Sequence, residues 1–163
     1  MNEDLYTFLT KFVTEQKVAL FDRILENRTR YITVILEDIY QSQNASAVLR
    51  SCDTFGIQDV HIIENNHKYN VNKDIALGSA QWLELKKYNK TENNTLECIN
   101  NLKSKGYKII ATSPHKNDFS LPSYPLTDKT ALIFGSELPG LSKIAMENAD
   151  GYLKYQCLDL QKV

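Results

Sequence analysis

Residues 131–142 have the sequence ALIFGSELPGLS, in which four apolar residues pass directly into a turn. The first four, Ala131 to Phe134, have the composition of a buried strand. The turn contains Gly135, Gly140 and a single carboxylate, Glu137. A plain turn does not need a carboxylate beside buried apolar residues. This segment is therefore a candidate functional element at the end of a strand.

Length and composition indicate a single globular domain. The chain has 163 residues, of which 42% are hydrophobic and 24% are charged, and it can bury one substantial core. No apolar run approaches the roughly 20 residues that span a bilayer, and the first residues do not resemble a signal peptide. Cys52, Cys98 and Cys157 form no CxxC pair, which favours free thiols in a reducing compartment. We expect a cytoplasmic protein with no metal site and no membrane partner.

The charge of the whole chain does not indicate a nucleic-acid binder. The net charge is −1 at pH 7, whereas nucleic-acid-binding domains are commonly basic. Local groups of basic residues occur at 28–30, 86–90 and 103–108. Solvated surface is the simpler explanation for each of them.

Helical and strand patterns alternate along the chain. Apolar spacing predicts one or two amphipathic helices within residues 3–26. A β-branched strand at 31–37 is followed by a helix at 41–56. The later predicted elements are strands at 59–64, up to 88, 107–113, 129–135 and 151–155, helices at 91–106 and 141–150, a short helix before the strand that ends at 88, and a loop at 114–128.

The helix at 41–56 has recognisable ends. Asn44 is predicted as its N-cap and Gly56 as its C-terminal stop. Phe55 and Trp82 are predicted to be core residues rather than surfaces for base stacking.

This alternation predicts an α/β fold, a mostly parallel sheet with helices on both faces. The candidate boundary lies near residue 28. Residues 1–28 would form a helical N-terminal extension, and residues 29–163 the α/β domain. Ligands of open α/β sheets bind outside the carboxyl ends of the strands. Three such ends carry polar or glycine-rich turns, with the sequences NASAVLRSCD, ATSPHK and GSELPGLS.

Two of these turns carry recognisable motifs. Residues 43–64, QNASAVLRSCDTFGIQDVHIIE, contain Asn44 and, six residues later, Arg50. Residues 131–155, ALIFGSELPGLSKIAMENADGYLKY, contain a Gly-Ser-Glu turn with a later glycine. In this order and with strands between them, the motifs resemble the TrmH-type branch of the SPOUT superfamily. The likeness covers about residues 15–154.

The resemblance implies a function and a fold. Members of the family are enzymes with a trefoil knot that transfer a methyl group from S-adenosylmethionine to a ribose 2'-hydroxyl in tRNA or rRNA. The N-terminal helices followed by RYITVILEDIYQSQN look most like the tRNA-modifying members, which target a guanosine ribose in the D-loop. A homodimer is implied as well. The implied catalytic residues are Asn44, Arg50 and Glu137, and the implied cofactor-binding residues are Thr112, Ser113, Gly135, Ser136 and Gly140.

The chemistry of these side chains agrees with that reading. Arg50 can bind a phosphate with two hydrogen bonds and so orient a ribose. Glu137 can accept hydrogen bonds from ribose hydroxyls or hold Asn44 or Arg50, and we expect a salt bridge to Arg50. Gly135 lets a ligand approach the backbone. Methyl transfer depends on positioning and charge placement, so it requires neither a metal nor a protein nucleophile. The plainer alternative is a capped helix with a surface pair between Arg50 and Asp53.

The third motif of the family has no counterpart in this sequence. Residues 155–157 stand where an Ile-Pro turn is expected, and the chain stops at Val163. A truncated form and a non-native tail both stay open as explanations. The alternatives are an RNA-binding protein derived from this fold without catalysis, an rRNA 2'-O-methyltransferase, and a small nucleotide-binding α/β module. A hydrolase dyad of Ser113 and His115 is disfavoured, because adjacent loop residues do not form a nucleophile elbow.

Overall fold

The computed structural model describes residues 3–69, 81–114 and 118–154. Its helices are α1 (Glu3–Thr10), α2 (Glu15–Glu26), α3 (Ser42–Thr54), α4 (Asn94–Ser104) and α5 (Lys143–Asn148). Its strands are β1 (Ile32–Glu37), β2 (Asp59–Ile63), β3 (Glu84–Tyr88), β4 (Lys108–Thr112), β5 (Phe119–Ser120), β6 (Thr130–Phe134) and β7 (Gly151–Lys154). The predicted loop at 114–128 thus contains a short strand, and a 3₁₀ helix follows it at Leu121–Ser123. The short helix predicted before β3 falls largely on residues 70–80, outside the described ranges.

The strands form one sheet in the order β3-β2-β1-β6-β4-β7-β5. Every neighbouring pair is parallel, which confirms the predicted fold class. The chain runs outward from β1 through β2 to β3 and builds the other half of the sheet afterwards. The switch in direction lies between β1 and β6, where Leu36 is the register partner of Phe134. Ligand sites of open sheets form at such a switch point.

Each face of the sheet is covered by its own apolar cluster, because successive strand residues point to opposite sides. Helix α3 packs Ala45, Leu49 and Cys52 on one face. The other face is covered by α4 and α5. The sheet residues beneath α3 are Val34, Leu36, Val60 and Ile62, and those beneath α4 and α5 include Ile35, Ile63, Ile109, Ala111, Ala131 and Ile133.

The prediction that Asn44 is an N-cap is wrong. Helix α3 begins at Ser42, its N-cap is Gln41, and no side chain caps it. Ala45 and Ser46 are buried to 1% and 0% exposure in its first turns. The Ala45 N–H donates to the Gln41 carbonyl at 3.3 Å and the Ser46 hydroxyl to the Ser42 carbonyl at 2.7 Å, and both bonds form because the backbone is already helical before Asn44. Gly56 ends the helix as predicted, with a φ of 72°.

Phe55 and Trp82 are not core residues, contrary to the prediction. They are 78% and 58% exposed. Phe55 is the C-cap of α3, so it leaves the helical face that Leu49 and Cys52 bury. Trp82 lies in the turn that precedes β3, and the neighbouring Leu83 is the residue that is buried there.

The N-terminal helices have an exposed apolar surface. Helix α2 has no buried residue. Large apolar side chains of α1, α2 and their connection are each at least a third exposed: Leu5, Tyr6, Phe8, Leu9, Phe12, Val13, Leu20, Phe21, Ile24 and Leu25. We call this set the N-terminal apolar surface. No helix in the described ranges combines the length and the apolar character needed to cross a membrane.

His61 in β2 lies among buried groups. Its ring is 5% exposed, and Nδ1 lies 3.2 Å from the Tyr88 hydroxyl. Burial, followed by the nearby charges of Lys86 and Lys105 and opposed by that of Glu84, lowers the pKa of His61 to about 4 from 6.5. A histidine that must stay neutral in the folded protein couples stability to pH.

We expect His61 to destabilise the fold as the pH falls from 6.5 towards 4. Between these pH values, His61 is protonated in the unfolded chain but stays neutral in the folded protein. Above pH 6.5 the imidazole is neutral in both states. The loss should be about 2–3 kcal/mol, measured by urea denaturation at pH 7 and pH 4.5. His61→Gln keeps a hydrogen-bonding group without a titrating ring. An equal pH dependence in wild type and His61→Gln would contradict this assignment.

Candidate functional site

A cavity of about 640 Å³ opens at the carboxyl ends of β1 and β6. Leu36 and Phe134, which are register partners in the sheet, form part of its lining. One wall comes from the start of α3 and another from the turn after β6. Its volume falls within the 300–1,000 Å³ that is typical of small-molecule sites. The cavity therefore lies where the switch in strand order predicts a ligand site.

The turn after β6 is closed by its own backbone. The Gly140 N–H donates to the Ser136 carbonyl at 2.9 Å, and Gly140 has a φ of 70°. A Cβ on Gly135 would lie 2.2 Å from the Gly140 carbonyl carbon and 2.4 Å from the Leu141 nitrogen. We predicted that Gly135 lets a ligand approach the backbone. The structure adds a second reason for glycine at this position. The space that a side chain would fill is already occupied by the chain itself.

The structure brings Asn44 and Glu137 together. The Asn44 side-chain nitrogen lies 3.5 Å from Glu137 Oε2 across 93 residues of sequence, so the two groups are neighbours at a distance longer than that of an ordinary hydrogen bond. Both residues line the cavity, as do Gly135 and Ser136. The first and second sequence motifs thus meet at one rim.

Arg50 lies elsewhere on α3. It is exposed and lines a shallow depression with Ala47, Ser51, Thr54 and Phe55. The expected salt bridge to Glu137 is absent from the ion pairs of the described residues. Six helical residues rotate a side chain by about 240°, which turns Arg50 away from the rim that Asn44 occupies. Asp53 pairs with Arg28, so a surface pair of Arg50 with Asp53 is also wrong.

Thr112 and Ser113 lie at the end of β4, next to the end of β6 but not in the lining of the cavity. The Thr112 hydroxyl donates to the Ile133 carbonyl at 2.9 Å. Ser113 is 6% exposed, and its N–H donates to the Leu153 carbonyl at 3.1 Å. Strand β4, which they end, flanks β6 on the side away from β1. His115, of the disfavoured dyad, lies outside the described residues.

Glu37 is a buried residue that organises the site and that sequence reasoning missed. Its carboxylate is 2% exposed at the end of β1 and accepts three hydrogen bonds. The donors are the Thr95 hydroxyl at 2.6 Å, the Ser142 N–H at 2.8 Å and the Ser142 hydroxyl at 2.7 Å. Ser142 is also the N-cap of α5. An acidic residue at the end of a β-branched strand was the available signal.

The next residue, Asp38, holds a second loop. It has a φ of 49°, in a region that non-glycine residues seldom occupy. Asp38 Oδ1 accepts the N–H groups of Asn65 and Asn66 at 2.8 Å each, and that of His67 at 3.3 Å. This holds the loop after β2, and with it His67, beside the cavity. Tyr40 and His67 line the cavity and were not predicted as site residues.

Most of the basic groups noted in the sequence are neutralised locally. Arg28 pairs with Asp53, and Arg30 pairs with Asp59 and Glu84. Lys87, Lys103 and Lys108 pair with Glu64, Asp150 and Asp128. In contrast, the Arg50 side chain forms no ion pair with any residue in the described ranges.

Comparison with known proteins gives consistent matches. The model of the SpoU rRNA Methylase family matches residues 31–156. A tRNA (guanosine(18)-2'-O)-methyltransferase of Borreliella burgdorferi is 44% identical over 146 residues, which cover 90% of this chain and 65% of the relative. The chain thus spans slightly less than two thirds of that relative's length.

Solved structures share the fold. The crystal structure of the Aquifex aeolicus TrmH/SpoU tRNA modifying enzyme superposes with a TM-score of 0.76 at 25% identity, covering 90% of this chain and 73% of that one. The SpoU methyltransferase AviRb of Streptomyces viridochromogenes, solved in complex with AdoMet, gives a TM-score of 0.66 at 18% identity, covering 82% and 51%. At that identity the second likeness concerns the fold alone.

Gly135→Ala should destabilise the protein by forcing the turn open. The added Cβ would meet backbone atoms of Gly140 and Leu141, and we expect a loss of about 2 kcal/mol or more in the free energy of unfolding, measured by guanidinium denaturation. Gly106→Ala is the matched control. It has a φ of 81° but open space around its Cβ position, so it should cost only about 1 kcal/mol. An effect of Gly135→Ala no larger than the control's would contradict the steric role.

Proposed function

Because this chain belongs to the SpoU rRNA Methylase family, we propose that it transfers a methyl group from S-adenosylmethionine to a ribose 2'-hydroxyl in RNA. The observation that carries this proposal is the meeting of Asn44 and Glu137 at one rim of the cavity. These two residues come from the two motifs on which the family resemblance rests. The proposal extends to the reacting nucleotide, which occupies the cavity beside them.

The residues around the turn after β6 fit the cofactor. Gly135, Ser136 and Gly140 provide backbone groups and a hydroxyl, and Thr112 and Ser113 lie at the end of the neighbouring strand β4. Of the described residues that line the cavity, Glu137 alone carries a formal negative charge. When bound there, S-adenosylmethionine supplies an electrophilic methyl group on a positively charged sulfonium. Glu137 complements that charge and holds the Asn44 amide.

Arg50 is the proposed anchor for the RNA backbone. Its guanidinium is exposed on the helix that carries Asn44, and an arginine can bind a phosphate with two parallel hydrogen bonds. Bound in this way, Arg50 orients the ribose, and an oxygen of the phosphate that it holds accepts the proton that the 2'-hydroxyl loses. Direct contact with the cavity is not required, because the phosphates of a polynucleotide extend beyond the reacting sugar.

The substrate is tRNA in this proposal. The support is the name of the B. burgdorferi relative, a tRNA (guanosine(18)-2'-O)-methyltransferase, and that of the A. aeolicus tRNA modifying enzyme. An rRNA substrate is the alternative that the family description favours. Two buried free thiols, Cys52 and Cys98, support a reducing, cytoplasmic location.

The proposed assembly is a homodimer in which the N-terminal apolar surface is covered by a second copy. Monomeric proteins seldom expose so many neighbouring apolar side chains. A second copy is the proposed occupant because the family resemblance implies a homodimer.

Arg50→Ala should lower the rate of methyl transfer to tRNA by about 100-fold or more while leaving the affinity for S-adenosylmethionine unchanged. Tritium transfer from labelled cofactor measures the rate, and calorimetric titration measures the affinity. Lys108→Ala is the control, since Lys108 is an exposed cation at the amino end of β4. Unchanged turnover in Arg50→Ala would remove Arg50 from the catalytic set. Failure of the folded wild-type protein to bind the cofactor would favour the RNA-binding alternative.

Phe12→Glu should separate the dimer. Phe12 is 72% exposed on the N-terminal apolar surface, and a buried unpaired charge at an interface is strongly unfavourable. Sedimentation equilibrium should give twice the chain mass of 18.7 kDa for the wild type and the single mass for the variant. Leu126→Glu, at a 46% exposed position outside that surface, is the control. A monomeric wild type would refute the dimer.

A further inference from the structure

Tyr40 is an aromatic residue with an unusual environment. Its side chain is 74% exposed, although it lies between a buried strand and the start of α3. It lines the cavity together with Asn44 and Glu137. Exposed aromatic rings beside a polar site serve in RNA-binding proteins as stacking surfaces.

His67 forms a wall with Tyr40. The two ring centroids lie 5.1 Å apart with an interplanar angle of 73°, an edge-to-face arrangement. The backbone of His67 is held in turn by Asp38, which also fixes Asn65 and Asn66. The wall is thus supported by a hydrogen-bonded loop rather than by the core.

The rest of the lining suits a flat, neutral group rather than a phosphate. Among the described residues, no lysine or arginine lines the cavity, and the apolar members of its lining are Leu36, Ile39, Ala45, Val48, Phe134, Leu138 and Pro139. The polar groups are confined to a few side chains, including Gln41 and Asn44, and to the turn after β6. A nucleobase has an apolar face and a polar edge, and this lining matches both.

We propose that Tyr40 and His67 form a stacking wall for the base of the nucleotide whose ribose is methylated. This inference rests on the proposed function and names the group that positions the RNA at that site. The base packs against the aromatic wall, and its sugar then lies towards Asn44 and Glu137 on the same rim. Stacking of this kind accepts any base, so it contributes affinity and position rather than base identity.

Steady-state kinetics with an unmodified tRNA transcript test the proposal. Tyr40→Ala should raise the KM for tRNA about tenfold or more while the dissociation constant for S-adenosylmethionine stays unchanged. Tyr40→Phe keeps the ring and should bring the KM back towards the wild-type value. His67→Ala should raise the KM as well. An unaltered KM in Tyr40→Ala with an active wild type would overturn the wall and leave the proposed function intact. Weakened cofactor binding in Tyr40→Ala would assign the wall to the cofactor and also overturn it.

A fluorescence experiment decides the same question without turnover. Tyr40→Trp in a Trp82→Phe background places a single tryptophan in the wall, since the chain has one Trp. A short single-stranded oligoribonucleotide should quench its emission by stacking. Tyr31→Trp in the same background is the control, because Tyr31 is 39% exposed and precedes the amino end of β1. Quenching at position 40 alone supports the wall even if methyl transfer fails. Equal quenching at both positions, or none, overturns it.

Discussion

The buried carboxylate of Glu37 is the interaction on which the site depends. A carboxylate with 2% exposure is tolerated only when hydrogen bonds replace the water it has lost. The required donors come from Thr95 on α4 and from Ser142 at the start of α5. To satisfy Glu37, the chain after β6 must return to the end of β1. That return closes the turn around Gly135 and leaves Glu137 at the rim where Asn44 lies.

Asp38 likewise holds a second loop by accepting hydrogen bonds at its carboxylate. Glu37 and Asp38 are adjacent in sequence, yet they hold different segments, the start of α5 and residues 65–67. The cavity therefore has an apolar floor built by the sheet and walls positioned by two neighbouring acidic residues. This explains how polar loops acquire defined positions at the open end of the sheet, where hydrophobic burial gives little constraint.

The sheet and its helices could be predicted from the sequence because periodicity reports burial directly. The run of β-branched residues in β1 and the spacing in α3 and α4 record which side chains face the core. The turn with Glu137 was recognisable as a site because its composition conflicts with a plain turn. The exposure of Phe55 was not predictable, because it depends on Thr54 being the last helical residue and Phe55 the C-cap.

The remaining site residues depend on three-dimensional contacts that no local pattern records. The two partners of Glu37, Thr95 and Ser142, are 58 and 105 residues away. The rings of Tyr40 and His67 are neighbours because Asp38 holds residues 65–67 in place. Asn44 was found through its motif, although its assigned capping role was wrong.

The central position of β6 imposes an order of assembly on the nascent chain. Strand β6 lies between β1 and β4, but Thr130 pairs with Ile32, so the strand that joins the two halves is synthesised long after the first. Until residue 134 has left the ribosome, β1 keeps an unpaired edge, and such edges invite association with other chains. Parallel pairing over long sequence separations is also slow. The growing polypeptide therefore keeps an exposed strand edge for longer than a protein built from local hairpins would.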